Sequence, residues 1–128
     1  MAKDEAIFSL ITGDTEINNE INDRVTPIVR DEGSGFPAIT YRTVNSNREY
    51  DNDGISIVDH SFDVHVYAKT YSKMMEIAQL IEDNLSEKSG TFGGETIEYV
   101  RIELINDDDY LPEEEAYAIP IELKIRFK

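Results

Sequence analysis

Two histidines, His60 and His65, are the chain's only imidazoles. They are therefore the first groups to weigh for acid–base or metal chemistry. They stand five apart in a stretch, 55–68, that reads as one β-strand. An odd separation on a strand sends two side chains to opposite faces. The pair therefore does not converge on one metal or substrate. His60 is expected at the margin of the core and His65 on the surface. No cysteine occurs, which removes thiolate nucleophiles and disulfides. No Gly-x-Ser-x-Gly elbow is present. Gly90 to Gly94 is glycine-rich, but no Gly-Lys-Ser/Thr follows, so it is not a phosphate cradle.

Carboxylates offer a second kind of chemistry. Glu49-Tyr50-Asp51-Asn52-Asp53-Gly54 partly imitates a calcium loop, in which alternate acids and a glycine wrap oxygens round the ion. The match then fails. His60 stands where the bidentate Glu belongs, and a strand follows where a helix should. The stretch reads as a polar hairpin tip. Asp107-Asp108-Asp109 and Glu113-Glu114-Glu115 read as a solvated acidic loop. The residues thus imply no catalytic centre, no metal site and no cofactor.

The elements that would position these groups follow from periodicity. Ala6, Ile7, Leu10 and Ile11 have helical spacing, and Gly13 ends that helix. Asp14 is placed to cap a short helical turn over 15–21. Residues 24–29 are β-like, with Pro27 confining them to an edge. A strand is expected over 37–44, a long polar connection over 45–54, and a long strand over 55–68. Met74, Ile77, Ala78, Ile81 and Leu85 form the apolar stripe of a helix over about 71–85. Residues 86–95 read as a Gly/Ser loop, 96–105 as a strand and 106–115 as an acidic loop. Tyr117, Ile119, Ile121, Leu123, Ile125 and Phe127 alternate with Ala118, Glu122, Lys124 and Arg126, which predicts a half-buried final strand. Pro120 suggests an edge or a bulge within it. The expected fold is α+β over one domain, 1–128. It is an antiparallel sheet with one long amphipathic helix packed on it, plus a short N-terminal helix. The sheet's second face is polar, free for water or a neighbouring subunit.

Composition limits the function classes. The 128 residues hold 27 acids and 12 bases, a net charge of −15. Such a surface repels phosphate backbones and anionic membranes, so specific nucleic-acid grip through a basic patch is not expected. The start, Met1-Ala2-Lys3-Asp4-Glu5, is charged and no apolar run follows it. The sequence therefore reads as a cytosolic product without a signal peptide or membrane span.

A resemblance rests on the ordered motifs. Ser61-Phe62-Asp63-Val64-His65-Val66-Tyr67-Ala68-Lys69-Thr70-Tyr71 runs directly into the helix beginning Met74-Met75-Glu76. Upstream stand Gly13-Asp14, then Asp23-Arg24-Val25-Thr26-Pro27, then Phe36-Pro37-Ala38-Ile39-Thr40-Tyr41. Over about residues 5–85, and loosely through the last two strands, the chain resembles the tail-completion (tail-terminator) proteins of long-tailed bacteriophages. The resemblance implies a structural virion protein without an active site. It implies a ring, usually hexameric, that caps the head-proximal end of the tail tube and joins it to the head connector. The implied partners are other copies of the chain, the tube protein and the connector protein. DNA passes through without specific binding.

A closed ring needs two different surfaces on each subunit. Six copies at −15 would total −90, a repulsion that must be screened by salt or offset by basic residues at contacts. Arg42, Arg48, Arg101, Lys124 and Arg126 are candidates for that offset, and part of the acid is expected to line the channel. Tyr50 and Tyr110 are candidate aromatic anchors in polar loops, with Asp51 beside the first. An alternative from another class is an acidic monomeric binding module, such as a DNA mimic or inhibitor. It would show salt-sensitive binding to a DNA-binding enzyme.

Overall fold

The computed structural model describes residues 2–28, 35–50, 56–105 and 108–127. Helix α1 spans Ala2–Thr12 and α2 spans Thr15–Ile21. Gly13 closes α1 by donating its N–H to the Ser9 carbonyl at 2.8 Å. Asp14 caps α2, its carboxylate accepting from the Ile17 N–H at 3.0 Å. Helix α3, Tyr71–Leu85, is capped by Thr70, whose hydroxyl accepts from the Lys73 N–H. All five apolar positions expected on its stripe are buried. Each of the four large ones contributes about 2 kcal/mol by leaving water.

The strands are β1 (Val25–Pro27), β2 (Ala38–Tyr50), β3 (Ser56–Ala68), β4 (Gly90–Phe92), β5 (Glu95–Ile105), β6 (Asp109–Leu111) and β7 (Ala116–Phe127). They form one sheet in the order β1-β2-β3-β7-β5-β4, with β6 also on β7. The helices cover one face. Ile7, Leu10, Ile17, Ile21, Met74, Ile77 and Ile81 meet Phe62, Val64, Val66, Leu123, Ile125 and Phe127 in one core.

Several expectations are corrected. The sheet is mixed, because β1 pairs parallel to β2. The chain between Pro27 and Ala38 is long enough to return to the same end, where a tight turn would have forced the antiparallel arrangement. The helical layer is shared among helices of 11, 7 and 15 residues, so no single long helix dominates it. The connection expected over 45–54 is not all loop. β2 continues to Tyr50 and pairs with β3 from Ser56 onward. Its polar sequence hid this, because ladder hydrogen bonds need no apolar side chains. The two supposed loops 86–95 and 106–115 each hold a three-residue strand, β4 and β6.

Pro120 marks only a local edge, although β7 as a whole lies between β3 and β5. β5 pairs with β7 only as far as Ile121, and β6 takes over at Ala118. The proline sits in the gap between those two partners, where no ladder bond is required of it. A further irregularity lies in β5, where the register skips between Ile97 and Tyr99. That bulge lets both Ile97 and Val100 reach the core, which strict alternation forbids.

Candidate interaction surface

The face of the sheet away from the helices carries no covering layer among the described residues. Its rungs follow from register: Arg42–Asp63–Glu122, Thr40–His65–Pro120 and Ala38–Tyr67–Ala118 across β2, β3 and β7. His65 stacks on Tyr67 with ring centroids 6.2 Å apart. Partial burial pushes the His65 imidazole below its usual pKa, outweighing the nearby Asp63 carboxylate. A concavity of about 290 Å³ lies on one side of this rung, lined by Ile28, Thr40, Arg42, Asp63 and His65 among others. Thr40 is the hydroxyl opposite His65, but it is buried. Among the described residues no group of three or more His, Asp or Glu could hold a metal ion.

Toward the C-terminal end of β7 the open face becomes cationic. Asp59 is 6% exposed and accepts two bonds from Arg126, at 2.8 Å to Nε and 3.0 Å to Nη2. Lys124 Nζ stands 4.0 Å from the same carboxylate. The Arg126 guanidinium, bonded to Asp59, holds its carboxyl below the ordinary value of 3.8 against the opposing effect of burial. Arg101 lies directly across the ladder from Lys124 and 4.0 Å from Glu87. Tyr99 supports both guanidinium groups, with Arg101 4.3 Å and Arg126 5.1 Å from its ring centre. Three cations therefore surround one aromatic ring and one buried acid. Two bulky like charges directly opposite on adjacent strands are unfavourable, and Asp59 is committed mainly to Arg126.

The other end of β7 has the opposite character. Tyr117 packs against Tyr110 of β6 at 4.9 Å and Tyr71 of α3 at 5.9 Å. Tyr71 and Tyr110 remain exposed, as does Met75, which lies one helical turn beyond Tyr71 on the same face. A hydrogen bond to the Asp108 carboxylate raises the Tyr71 phenol above its usual pKa. Asp109, Glu113 and Glu115 are exposed beside this cluster.

The residues singled out from sequence are thus only partly united. Lys124, Arg126 and Arg101 converge on Asp59, whereas Arg42 pairs elsewhere, 3.5 Å from Asp63. Tyr110 lies on strand β6 rather than in an irregular loop. Arg48 and Tyr50 belong to β2, but their side chains, like all of Asp51, lie outside the described residues. The calcium-like stretch falls largely there too. His60 lies where expected, at the core margin between Phe62 and Phe127, with Ser46 at 3.3 Å from Nε2. Sequence reasoning missed Asp59, Tyr99 and the Tyr71–Tyr117 contact. Alternation along β3 puts Asp59 on the open face with Asp63 and His65, but its partner is 67 positions away.

Comparison with known proteins covers nearly the whole chain. Residues 5–128 match the family model described as Tail completion protein gp17. Among solved structures, a chain of the virion of a native gene transfer agent (GTA) particle shares the fold. It has 11% sequence identity, a TM-score of 0.75, and coverage of 95% of this chain and 91% of that one. No curated protein matches.

Proposed function

We propose, from the premise that this chain belongs to the Tail completion protein gp17 family, that its copies close into a ring at the head-proximal end of the phage tail tube. Family membership makes the chain a structural protein of the bacteriophage tail, located in the virion. The ring reading adds that the subunits stop tube growth and present the surface that joins the head connector. Six members is the number that the resemblance suggests.

One observation carries this reading. The helices cover only one face of the sheet, and the two ends of β7 carry opposite chemistry. A subunit with two unlike sticky ends associates head to tail, and such contacts close into rings when the rotation allows. The remaining acids, part of the −15 charge, line the channel in this proposal. A negative wall does not hold phosphates, so DNA slides past it.

The test is electron microscopy of tails made with and without the protein. Without it, tubes of uncontrolled length that fail to join heads are expected. Tails of normal length that join heads normally would refute the reading. A neutral or basic lumen would refute the channel assignment alone.

A further inference from the structure

We infer that the tyrosine-rich acidic end of one subunit seats on the Arg101–Tyr99–Arg126–Lys124 patch of the next copy. The inference rests on the ring reading and names the surfaces that would make it. Tyr117 and Lys124 are seven residue steps apart on one strand, up to about 24 Å at the antiparallel rise, and that odd separation sends their side chains to opposite faces. The two ends of one chain therefore never meet, and any contact between them joins different copies.

Their chemistry is complementary. The patch presents Arg101 as an exposed cation and Lys124 as a half-buried one, facing each other across the ladder. An incoming carboxylate relieves that like-charge pair. Tyr99 holds the two guanidinium groups in place, so little freedom is lost on docking. The opposite end supplies Asp108 and Asp109 for charge, with Tyr71, Tyr110 and Met75 as exposed anchors. Aromatic and methionine side chains are enriched at such contacts, and arginine stacks on tyrosine faces. DNA is the other polyanion such a patch could take. A chain of net charge −15, with Glu122 and Asp63 one rung away, favours a protein carboxylate over a phosphate backbone.

Charge reversal tests the pairing in phage complementation. R101E/K124E and D108K/D109K should each weaken subunit association roughly a hundredfold or more and give overlong tails. The chain with all four substitutions should restore normal tails, because the two ends again attract. Normal tails from either pair alone, or no rescue by the combination, would overturn the inference. So would R101E/K124E tails that assemble normally but fail to pass DNA. Because the chain has no native cysteine, a second measurement does not depend on those variants folding. Ser61→Cys pairs across the ladder with Lys124, and Glu113→Cys lies in the exposed turn after β6. A short thiol cross-linker applied to assembled tails carrying both should yield a ladder of linked copies. Tails that contain the protein but show no ladder would overturn the proposed contact while leaving the ring intact. Failure of the ring reading itself appears differently, as normal tails in the complete absence of the chain.

Discussion

Replacing Asp59 with alanine should destabilise the folded subunit by about 2.5 kcal/mol. Breaking a buried ion pair by removing one partner costs about 3–5 kcal/mol. Asp59 is nearly buried, but the Arg126 side chain is 25% exposed, so water recovers part of that loss. The two bonds at 2.8 and 3.0 Å are charge-assisted and sit at the upper end of hydrogen-bond contributions. Removing the carboxylate also leaves Arg101, Lys124 and Arg126 without their shared counter-charge. For a domain of this length the loss corresponds to a melting shift of about 9 °C. Arg126→Met keeps a long side chain against Tyr99, so a double-mutant cycle isolates the pair. Urea unfolding at fixed protein concentration should give a coupling of about 2 kcal/mol at neutral pH. The pH dependence has a definite sign. Arg126 lowers the folded Asp59 pKa below 3.8, so the contribution is complete above the unfolded value. It is lost as pH falls through the lower folded value. A coupling below about 0.5 kcal/mol, the level of an exposed surface pair, would refute the reasoning. So would a coupling that persists after the carboxylate is protonated.

Two further substitutions probe how the helices are tied to the sheet. Gly93→Ala should cost about 3 kcal/mol, because its Cβ would lie 2.7 Å from the Glu5 backbone at a φ of +56°. Gly94→Ala, with a φ of +80° and open space around it, should cost only about 1 kcal/mol. Equal melting shifts for the two would show that contact with α1 is unimportant. Asp14→Ala should lose about 1 kcal/mol, since the carboxylate caps α2 and also accepts from Asn84 at 3.1 Å. Asp14→Asn should recover most of the cap, and an Asn variant as unstable as Ala would exclude capping as the cause.

The sequence signals differ in how far they reach along the chain. Helix starts and stops were legible because their causes are local: Gly13 closes α1, and Asp14 and Thr70 bond to amides three residues ahead. The inward phase of β3 and β7 was legible because burial selects every second residue. What escaped depends on pairing. The parallel β1, the strand character of residues 45–50, and β6 are held by backbone ladder bonds that need no apolar side chain, even where the partner is as near as Ser56 to Tyr50 or Ala116 to Leu111. The bulge that puts both Ile97 and Val100 in the core breaks the very alternation by which β5 is recognised. At the surface the same limit applies. Lys124 and Arg126 were suspected as contact residues, but Asp59 and Tyr99 join them only through register on two neighbouring strands.

The acidic composition and the cationic patch answer one physical demand. Copies that each carry −15 repel one another at distances shorter than a Debye length, about 8 Å at physiological salt. A uniformly acidic surface would therefore keep subunits apart at the separation where contact begins. Concentrating Arg101, Lys124 and Arg126 at one end of β7, while leaving exposed acid at the other, makes one relative orientation attractive and the rest repulsive. The buried Asp59 is part of that arrangement. It fixes Arg126 against Tyr99 and so keeps the patch assembled before a partner arrives. In the proposed ring, orientation selectivity of this kind would suppress side-to-side clumping of free subunits. It requires neither a pocket nor a reaction, only a cationic patch on the open face and a tyrosine-rich acidic cluster at the far end of β7 on the helix-covered side.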